Sequence, residues 1–437
     1  MKSSNRCEEL RVALDSLLSV RARHSERSEV EIPPNHGKSQ RITRDRASKL
    51  VRAALDRWDE LGRIVSAALP GRMSLPEKCL ANLAALIVLD GGRPSAESVD
   101  CLRVLSPDDF RRDLEYLLGI AQTYEFLPTF DARQDEGRLA IETHNPSWWV
   151  NYCFRTFGRG RGLKLLSSHS WPRYVRVNSL RTGGDLTLPQ EAERLGKVME
   201  AIPSAPGVYR VDKSPPSFSH LLSRGLLQFQ DLASYCAVVA AGPKPGESVL
   251  DLCAAPGAKT SALAQLMRNS GEIVSVDYSA SRMKSWAREM NRLGVEIATP
   301  IRGDATRLGL TGQYELVLLD PPCSGTGILD RNPEMKWHLT PELVSRYSQL
   351  QTRMLDEAYR LMSPEGRIIY STCSLTLEEN EEVISAFVGA HPEMETVTLP
   401  VSPDLGSAGM RGLGNCRRFY PYLDKTAGYF IARLEHV

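Results

Sequence analysis

Between Ser248 and Tyr370 apolar runs of strand length alternate with helical stretches, which confines this part of the chain to a mainly parallel sheet wound by helices on both faces. Strands are expected at Ser248–Leu252, Ile273–Val276, Leu316–Leu319 and Arg367–Tyr370, with a weaker one near Thr299–Arg302. Open sheets of this class bind ligands beyond the carboxyl ends of their strands. The residues just past each strand therefore decide what the protein does.

The first strand runs into Asp251, Leu252, Cys253, Ala254, Ala255, Pro256, Gly257, Ala258, Lys259 and Thr260, a small-residue turn entering a helix. Small side chains let backbone amides approach a ligand, and the helix start adds partial positive charge. Neither GxxxxGK[ST] nor GxGxxG is present, which favours a phosphate-free nucleoside cofactor over ATP or NAD. The second strand ends in Asp277, twenty residues beyond Gly257, where such folds clamp ribose hydroxyls. The third leads to Gly303 and Asp304, a carboxylate able to accept the amino group of adenine. Each Asp is also a candidate helix cap, and for Asp277, followed by Tyr278, Ser279 and Ala280, capping is a serious rival.

The fourth strand is followed by Asp320, Pro321, Pro322, Cys323, Ser324, Gly325, Thr326 and Gly327, and the fifth by Ser371, Thr372, Cys373 and Ser374. If these strands are neighbours, as a helical crossover through Pro341–Leu361 suggests, both thiols reach one cleft. A lone cysteine is usually a small buried hydrophobe, the plain reading of Cys79, Cys236 and Cys253. A pair at adjacent strand ends beside a carboxylate suits a particular chemistry. Carbon 5 of cytosine is too poor a nucleophile to attack a methyl sulfonium until a thiolate adds at carbon 6 and creates an enamine. Charge building on the ring must be relieved at nitrogen 3 and the exocyclic amine, for which Asp320 is placed as hydrogen-bonding partner or proton donor. A base must then take the carbon-5 proton, a step that a second cysteine fits. Amino-group methyltransferases place an aromatic residue after the same proline turn; here the position is Cys323, which argues for carbon.

The segments VLDLCAAPGAKT, VDYSASRM, LLDPPCSGTG and YSTCSLTLEENEEV resemble the Sun/RsmB (Fmu) family of RNA cytosine-5 methyltransferases. The resemblance covers roughly residues 140–437 and extends to RVNSLR at Arg176–Arg181, LLQFQDLAS at Leu226–Ser234 and RFYPYLDKTAGYFIARL at Arg418–Leu434. It implies a Rossmann-like class I methyltransferase domain using S-adenosyl-L-methionine, with Cys373 as nucleophile and Cys323 assisting release. It further implies that Cys253–Lys259, Asp277, Asp304 and Asp320 line the cofactor site, with Lys259 facing the base. Arg282 either helps neutralise that site or forms a surface helix salt bridge. Two departures stand out: Ala258 where a second glycine is usual, and Tyr422 after Pro421 where histidine is common.

The rest of the 437 residues allows two or three units. Residues 1–45 read as a basic, partly disordered leader, and 46–135 as an all-helical accessory domain, from periodic apolar positions such as Leu50, Val51, Ala54, Leu55 and Trp58. Residues 140–224 read as a small α/β subdomain for binding RNA, with a helix started by Asn145 and Pro146 that carries Trp148 and Trp149 as a packing anchor. Its strands are expected at Tyr174–Val177 and Val208–Val211, with a helix near Pro189–Ala201. The GRGRG at Gly158–Gly162 reads as a flexible turn in preference to a phosphate grip, and 225–437 is the catalytic domain. The helical layout resembles ribosomal RNA methyltransferases, whose extra domain is similar to the antitermination factor NusB, so ribosomal RNA is the favoured substrate. Transfer RNA members of the family share every catalytic motif. A non-catalytic RNA-binding ribosome assembly factor is the rival from another class, and the presence of Cys373, Cys323, Asp320 and Lys259 together favours the enzyme.

With 54 Lys+Arg against 53 Asp+Glu the net charge is +1, so attraction to RNA must come from a local patch. The nine cysteines show no zinc spacing and read as free thiols of a reducing compartment. No apolar run suits a membrane span or a signal peptide, so a cytoplasmic, metal-free monomer is expected.

Overall fold

The computed structural model describes residues 5–22, 38–58, 73–91, 95–107, 142–167, 171–184, 199–211 and 218–437. Shorter described stretches are 61–62, 64–65, 69, 110–114, 117–118 and 139–140. The chain divides into two compact units, Met1–Leu166 with Asn332–His338, and Ser167–Arg331 with Leu339–Val437.

The first unit is helical, with α1 (Asn5–Ala22), α2 (Lys38–Asp56), α3 (Leu75–Gly91), α4 (Ala96–Leu105), α5 (Ser147–Phe157) and α6 (Arg159–Leu166). The segment read as a leader, a polar stretch between short helices, supplies α1. Leu10, Ala13, Leu14 and Leu17 recur at helical spacing and are buried in the same core as Val51, Ala54, Leu55 and Trp58. The basic residues of the leader masked this short stripe, and residues 23–37 lie outside the described residues. A correction concerns the thiols: Cys7 of α1 and Cys101 of α4 are joined in a disulfide. Their separation of 94 residues hides the pairing from the sequence, and the packing of α1 on α4 creates it. The GRGRG stretch is not a loose turn either. Gly158, at φ +77, ends α5, and α6 begins at Arg159.

The second unit holds two sheets. The smaller is antiparallel in the order β2-β3-β1-β4, from β1 (Arg173–Val177), β2 (Met199–Ala201), β3 (Val208–Val211) and β4 (Leu227–Phe229). Met199–Ala201, placed in a helix by the sequence reading, is thus an edge strand, and residues 185–198 lie outside the described residues. Arg176 of β1 is buried and donates to Ser261 Oγ (2.8 Å), to Gln230 Oε1 (3.0 Å) and to Gln265 Oε1. Burial pulls its pKa down to about 10.

The larger sheet contains β5 (Ser248–Leu252), β6 (Glu272–Asp277), β7 (Ala298–Arg302), β8 (Tyr314–Leu319), β9 (Met362–Thr372), β10 (Met394–Thr396), β11 (Ser407–Ala408), β12 (Arg417–Phe419) and β13 (Tyr429–His436). Their order is β11-β12-β13-β9-β8-β5-β6-β7, with β10 on β13. Pairings from β7 through β9 are parallel, whereas β13 joins β9 antiparallel. All five strands expected from the sequence are present. Their alternate residues feed two cores. Val249, Ile273, Leu316, Leu318 and Ile369 pack with the helices Leu232–Ala241 (α7) and Ala258–Leu266 (α8). Leu250, Val274, Val317, Leu319 and Ile368 pack with Pro341–Leu361 (α10) and Glu381–Ala390 (α11), while Ala280–Leu293 (α9) follows β6. Burial on both faces explains the continuous apolar runs. The chain moves outward from β5 to β6 and β7, then returns to β8 on the other side of β5. That reversal opens a crevice at the carboxyl ends of β5 and β8.

Candidate active site

The turn after β5 is shaped by backbone conformations that its residues tolerate unequally. Cys253 has φ +65, Gly257 has φ +111, and the Ala255–Pro256 peptide is cis. A side chain at Gly257 would be strained at this φ and would displace the Met290 Cε, 2.5 Å away. Ala258 opens α8, and the departure from glycine there leaves the helix intact. Beneath the turn Thr260 Oγ1 donates to the buried Asp251 (2.6 Å) and accepts from Trp286 Nε1 (3.0 Å). Burial, opposed by that hydroxyl and by Lys259, pushes Asp251 up to about 7. Burial together with Asp277 and Asp320 raises the Cys253 thiol, which stays a neutral part of the wall.

Asp277 stands at the end of β6 with 2 % exposure. Its Oδ2 accepts from the Ala255 amide (3.3 Å) and pairs with Arg282 (2.9 Å), while Oδ1 accepts from the Ser279 amide (3.0 Å). The cap of α9 is Ser279, whose hydroxyl accepts from Arg282 N (3.4 Å). Arg282 also donates to the Ala255 carbonyl, so it ties the turn to β6 and is no mere surface pair. Asp304 lies at the exposed end of β7 and accepts from the amide (2.9 Å) and hydroxyl (2.8 Å) of Thr306.

The thiols expected to share a cleft do so. Cys323 follows β8, Cys373 follows β9, the strands pair in parallel, and the two Sγ atoms lie 3.3 Å apart. Cys323 is buried at 2 % exposure and Cys373 is partly open. Beside them Asp320 receives three donors: Lys259 Nζ at 2.7 Å on Oδ2, and Tyr429 OH at 3.0 Å and Ser371 Oγ at 3.1 Å on Oδ1. Burial alone would lower the Lys259 ammonium, but Asp320 and Tyr429 outweigh it and hold its pKa above the ordinary value. Burial and then Asp320 raise the Tyr429 phenol, which keeps its proton for donation.

The sequence reading passed over the residues that fix the two thiol loops. Glu379 is fully buried, and its Oε1 accepts from the Ser324 amide (2.7 Å) and Gln351 Nε2 (3.1 Å). Its Oε2 accepts from Ser374 Oγ (2.7 Å), Thr376 Oγ1 (2.8 Å) and Ser324 Oγ. One carboxylate thus grips the residue after each cysteine. Asn380 accepts from Thr372 Oγ1 (2.5 Å) and donates to the carbonyls of Ser374 (2.9 Å) and Thr376 (2.7 Å). Glu381 pairs with a fully buried Arg418, which also donates to Leu375 O at 2.9 Å. These residues lie within the quoted LEENEEV and RFYPYLDKTAGYFIARL segments, where a run of charges reads as a solvated helix start. The backbone closes the loop as well: Gly327 N donates to Cys373 O (2.9 Å) and Gly428 N to Gly327 O (2.8 Å). A Cβ on Gly327 would sit 2.0 Å from the Gly428 carbonyl oxygen.

Known proteins resemble this chain in sequence and in fold. A family model described as 16S rRNA methyltransferase RsmB/F matches residues 238–435. The chain is 34% identical over 277 residues to the probable ribosomal RNA small subunit methyltransferase B of Bacillus subtilis, covering 62% of this chain and 62% of that protein's length. It is 31% identical over 320 residues to ribosomal RNA small subunit methyltransferase B of Cronobacter sakazakii, covering 70% of this chain and 71% of that one. The crystal structure of PH0851 matches 98% of each chain with a TM-score of 0.80 and 26% identity. With a Rossmann-like methyltransferase sheet, its motif loops in place and a relative of this extent, the chain belongs to the RsmB/F family of 16S rRNA methyltransferases.

Proposed function

We propose that this protein methylates carbon 5 of a cytosine in ribosomal RNA, using S-adenosyl-L-methionine and a transient bond between Cys373 and the base. The observation that carries the reading is the pair of thiols 3.3 Å apart at the ends of β8 and β9, beside the Lys259–Asp320 ion pair. The names of the Bacillus and Cronobacter relatives support ribosomal RNA as the substrate. The same reading sets the reaction in the cytoplasm, with the chain acting as a monomer; among the described residues no helix is long and apolar enough to cross a membrane.

The turn fits a nucleoside cofactor without phosphates. Its one cation, Lys259, is committed to Asp320, and a carboxylate at the end of β6, Asp277, would accept from a ribose diol. The amides of Cys253–Ala258, with Asp277, Arg282 behind it, and Asp304, would hold that cofactor, which supplies an electrophilic methyl group on a sulfonium. The Cys373 thiolate adds to carbon 6 of the cytosine and pushes electron density to carbon 5. Asp320, surrounded by three donors, acts as an acceptor for the exocyclic amine and not as the proton donor, and Lys259 balances the charge developing on the ring. Once carbon 5 carries the methyl group, Cys323 takes its proton. The Cys373 sulfur then leaves carbon 6 and the ring regains its double bond.

Incubation with tritiated S-adenosylmethionine and small-subunit ribosomal RNA, followed by bisulfite sequencing, tests the proposal. Label at one or a few cytosines is expected. RNA that is bound yet carries no methylcytosine overturns it.

A further inference from the structure

The RsmB/F reading leaves open how a chain of net charge +1 attracts a polyanion. Residues 143–184 contain seven Lys or Arg and no Asp or Glu, the longest acid-free run in a chain that otherwise places an acid at about one residue in eight. Three of the seven lie outside the α5–α6 hairpin and are engaged elsewhere. Arg176 is buried, Arg181 donates to the carbonyls of Asn291 (2.8 Å) and Arg292 (3.3 Å), and Arg173 lies over the Phe229 ring (5.8 Å). The other four, Arg155, Arg159, Arg161 and Lys164, are exposed and all belong to the α5–α6 hairpin.

The hairpin is built to show them. Trp149, Val150, Tyr152, Cys153, Phe157 and Leu166 are buried, which commits its apolar side to packing. A Cβ on Gly162 would sit 2.6 Å from Phe154 Cδ1 and 3.2 Å from Cys153 O, so glycine is what lets α6 lie close on α5. Gly158, at φ +77 and ψ 156, reverses the chain between Arg155 and Arg159. Arg161 and Lys164 are one helical turn apart on α6, and the Arg159 guanidinium sits 5.2 Å from the centre of the Phe154 ring. Gly162 is therefore a packing position and Gly158 a reversal, on a short element that carries four exposed cations.

We propose that the outer side of the α5–α6 hairpin, carrying Arg155, Arg159, Arg161 and Lys164, is a contact surface for the phosphate backbone of the substrate RNA. This inference rests on the RNA methyltransferase reading and adds the place where the backbone is held. Exposed cations without interleaved acids suit a polyanion of any sequence; they hold the backbone and carry no base choice. An acidic protein is the competing occupant. RNA is favoured because a family member must bind a substrate with a phosphate at every nucleotide, while the chain as a whole offers no excess charge.

The test measures binding of a short fluorescent single-stranded RNA to the full chain between about 50 and 200 mM salt, without cofactor. Replacing all four residues by Gln is expected to weaken binding about 10- to 100-fold at the low-salt end. The slope of log affinity against log salt should fall by about three, at about 0.7 per single-strand phosphate contact. The fourfold Arg→Lys and Lys→Arg exchange keeps the charges and should keep the slope. The double variant Arg161→Gln/Lys164→Gln, with half the loss, guards against misfolding of the fourfold variant, as does an unchanged melting temperature. An unaltered slope in a folded variant overturns the proposal and leaves the surface to a protein partner. An equal loss at every salt concentration overturns it too. Because the readout needs no methyl transfer, a chain that binds through the hairpin but never methylates would refute the proposed function and leave this surface standing.

Discussion

The two edges of the crevice are held in different ways. On the cofactor edge, Asp277 is fixed by the main-chain amides of Ala255 and Ser279 and by an arginine five residues along the chain. On the thiol edge, Asp320 is fixed by side chains from α8, β9 and β13, and Glu379, just after the Cys373 loop, reaches across to the Cys323 loop. The first arrangement is local and survives changes elsewhere. The second exists only when distant parts of the chain have assembled. A crevice made this way can keep the turn after β5 fixed while its thiol loops depend on the whole fold.

The largest expected effect is on the thiol pair. Cys373→Ala should abolish both methyl transfer, by on the order of 10⁴-fold or more, and the protein–RNA adduct seen on denaturing gels. Cys323→Ala should accumulate that adduct because release stalls; equal, adduct-free inactivity of the two would erase the division of roles. Next comes Glu379→Ala, which strips several buried donors of their acceptor and should cost about 3–5 kcal/mol in denaturant unfolding. Glu379→Gln should recover part of this, and a loss below about 1 kcal/mol would show that the thiol edge does not depend on that carboxylate. Asp277→Ala should weaken cofactor binding by about 1.5–3 kcal/mol in calorimetric titration, through loss of a charge-assisted hydrogen bond. An unchanged dissociation constant with a lowered melting temperature would reduce Asp277 to a clamp for Arg282. The smallest effect is expected for Tyr429→Phe, which removes one of three donors to Asp320 and should lower kcat/KM by about fivefold, near 1 kcal/mol, with little change in cofactor affinity.

This contrast also explains what could be read in advance. The parallel strands were legible because burial on both faces leaves continuous apolar runs, and the turn after β5 because its small residues are consecutive. Cys323 and Cys373 could be placed in one cleft because sheet order follows from short crossovers. Glu379 and Glu381 were not legible, since charged residues in series look solvated and only the packed structure shows that they are buried. Tyr429 lay in a recognised segment, but nothing local says that an antiparallel strand will bring its hydroxyl to Asp320. The helix Asn5–Ala22 was obscured by its charges, and its link to Cys101 by distance along the chain.

The contact of Gly327 with Gly428 has a temporal meaning. Both the backbone seam behind the Pro-Cys loop and the phenol on Asp320 come from residues at the start of β13, some fifty positions after the second thiol. During synthesis the ribosome releases the sheet, the small-residue turn and both cysteines long before that strand. The surroundings of the two thiols are therefore completed only when β13 pairs with β9.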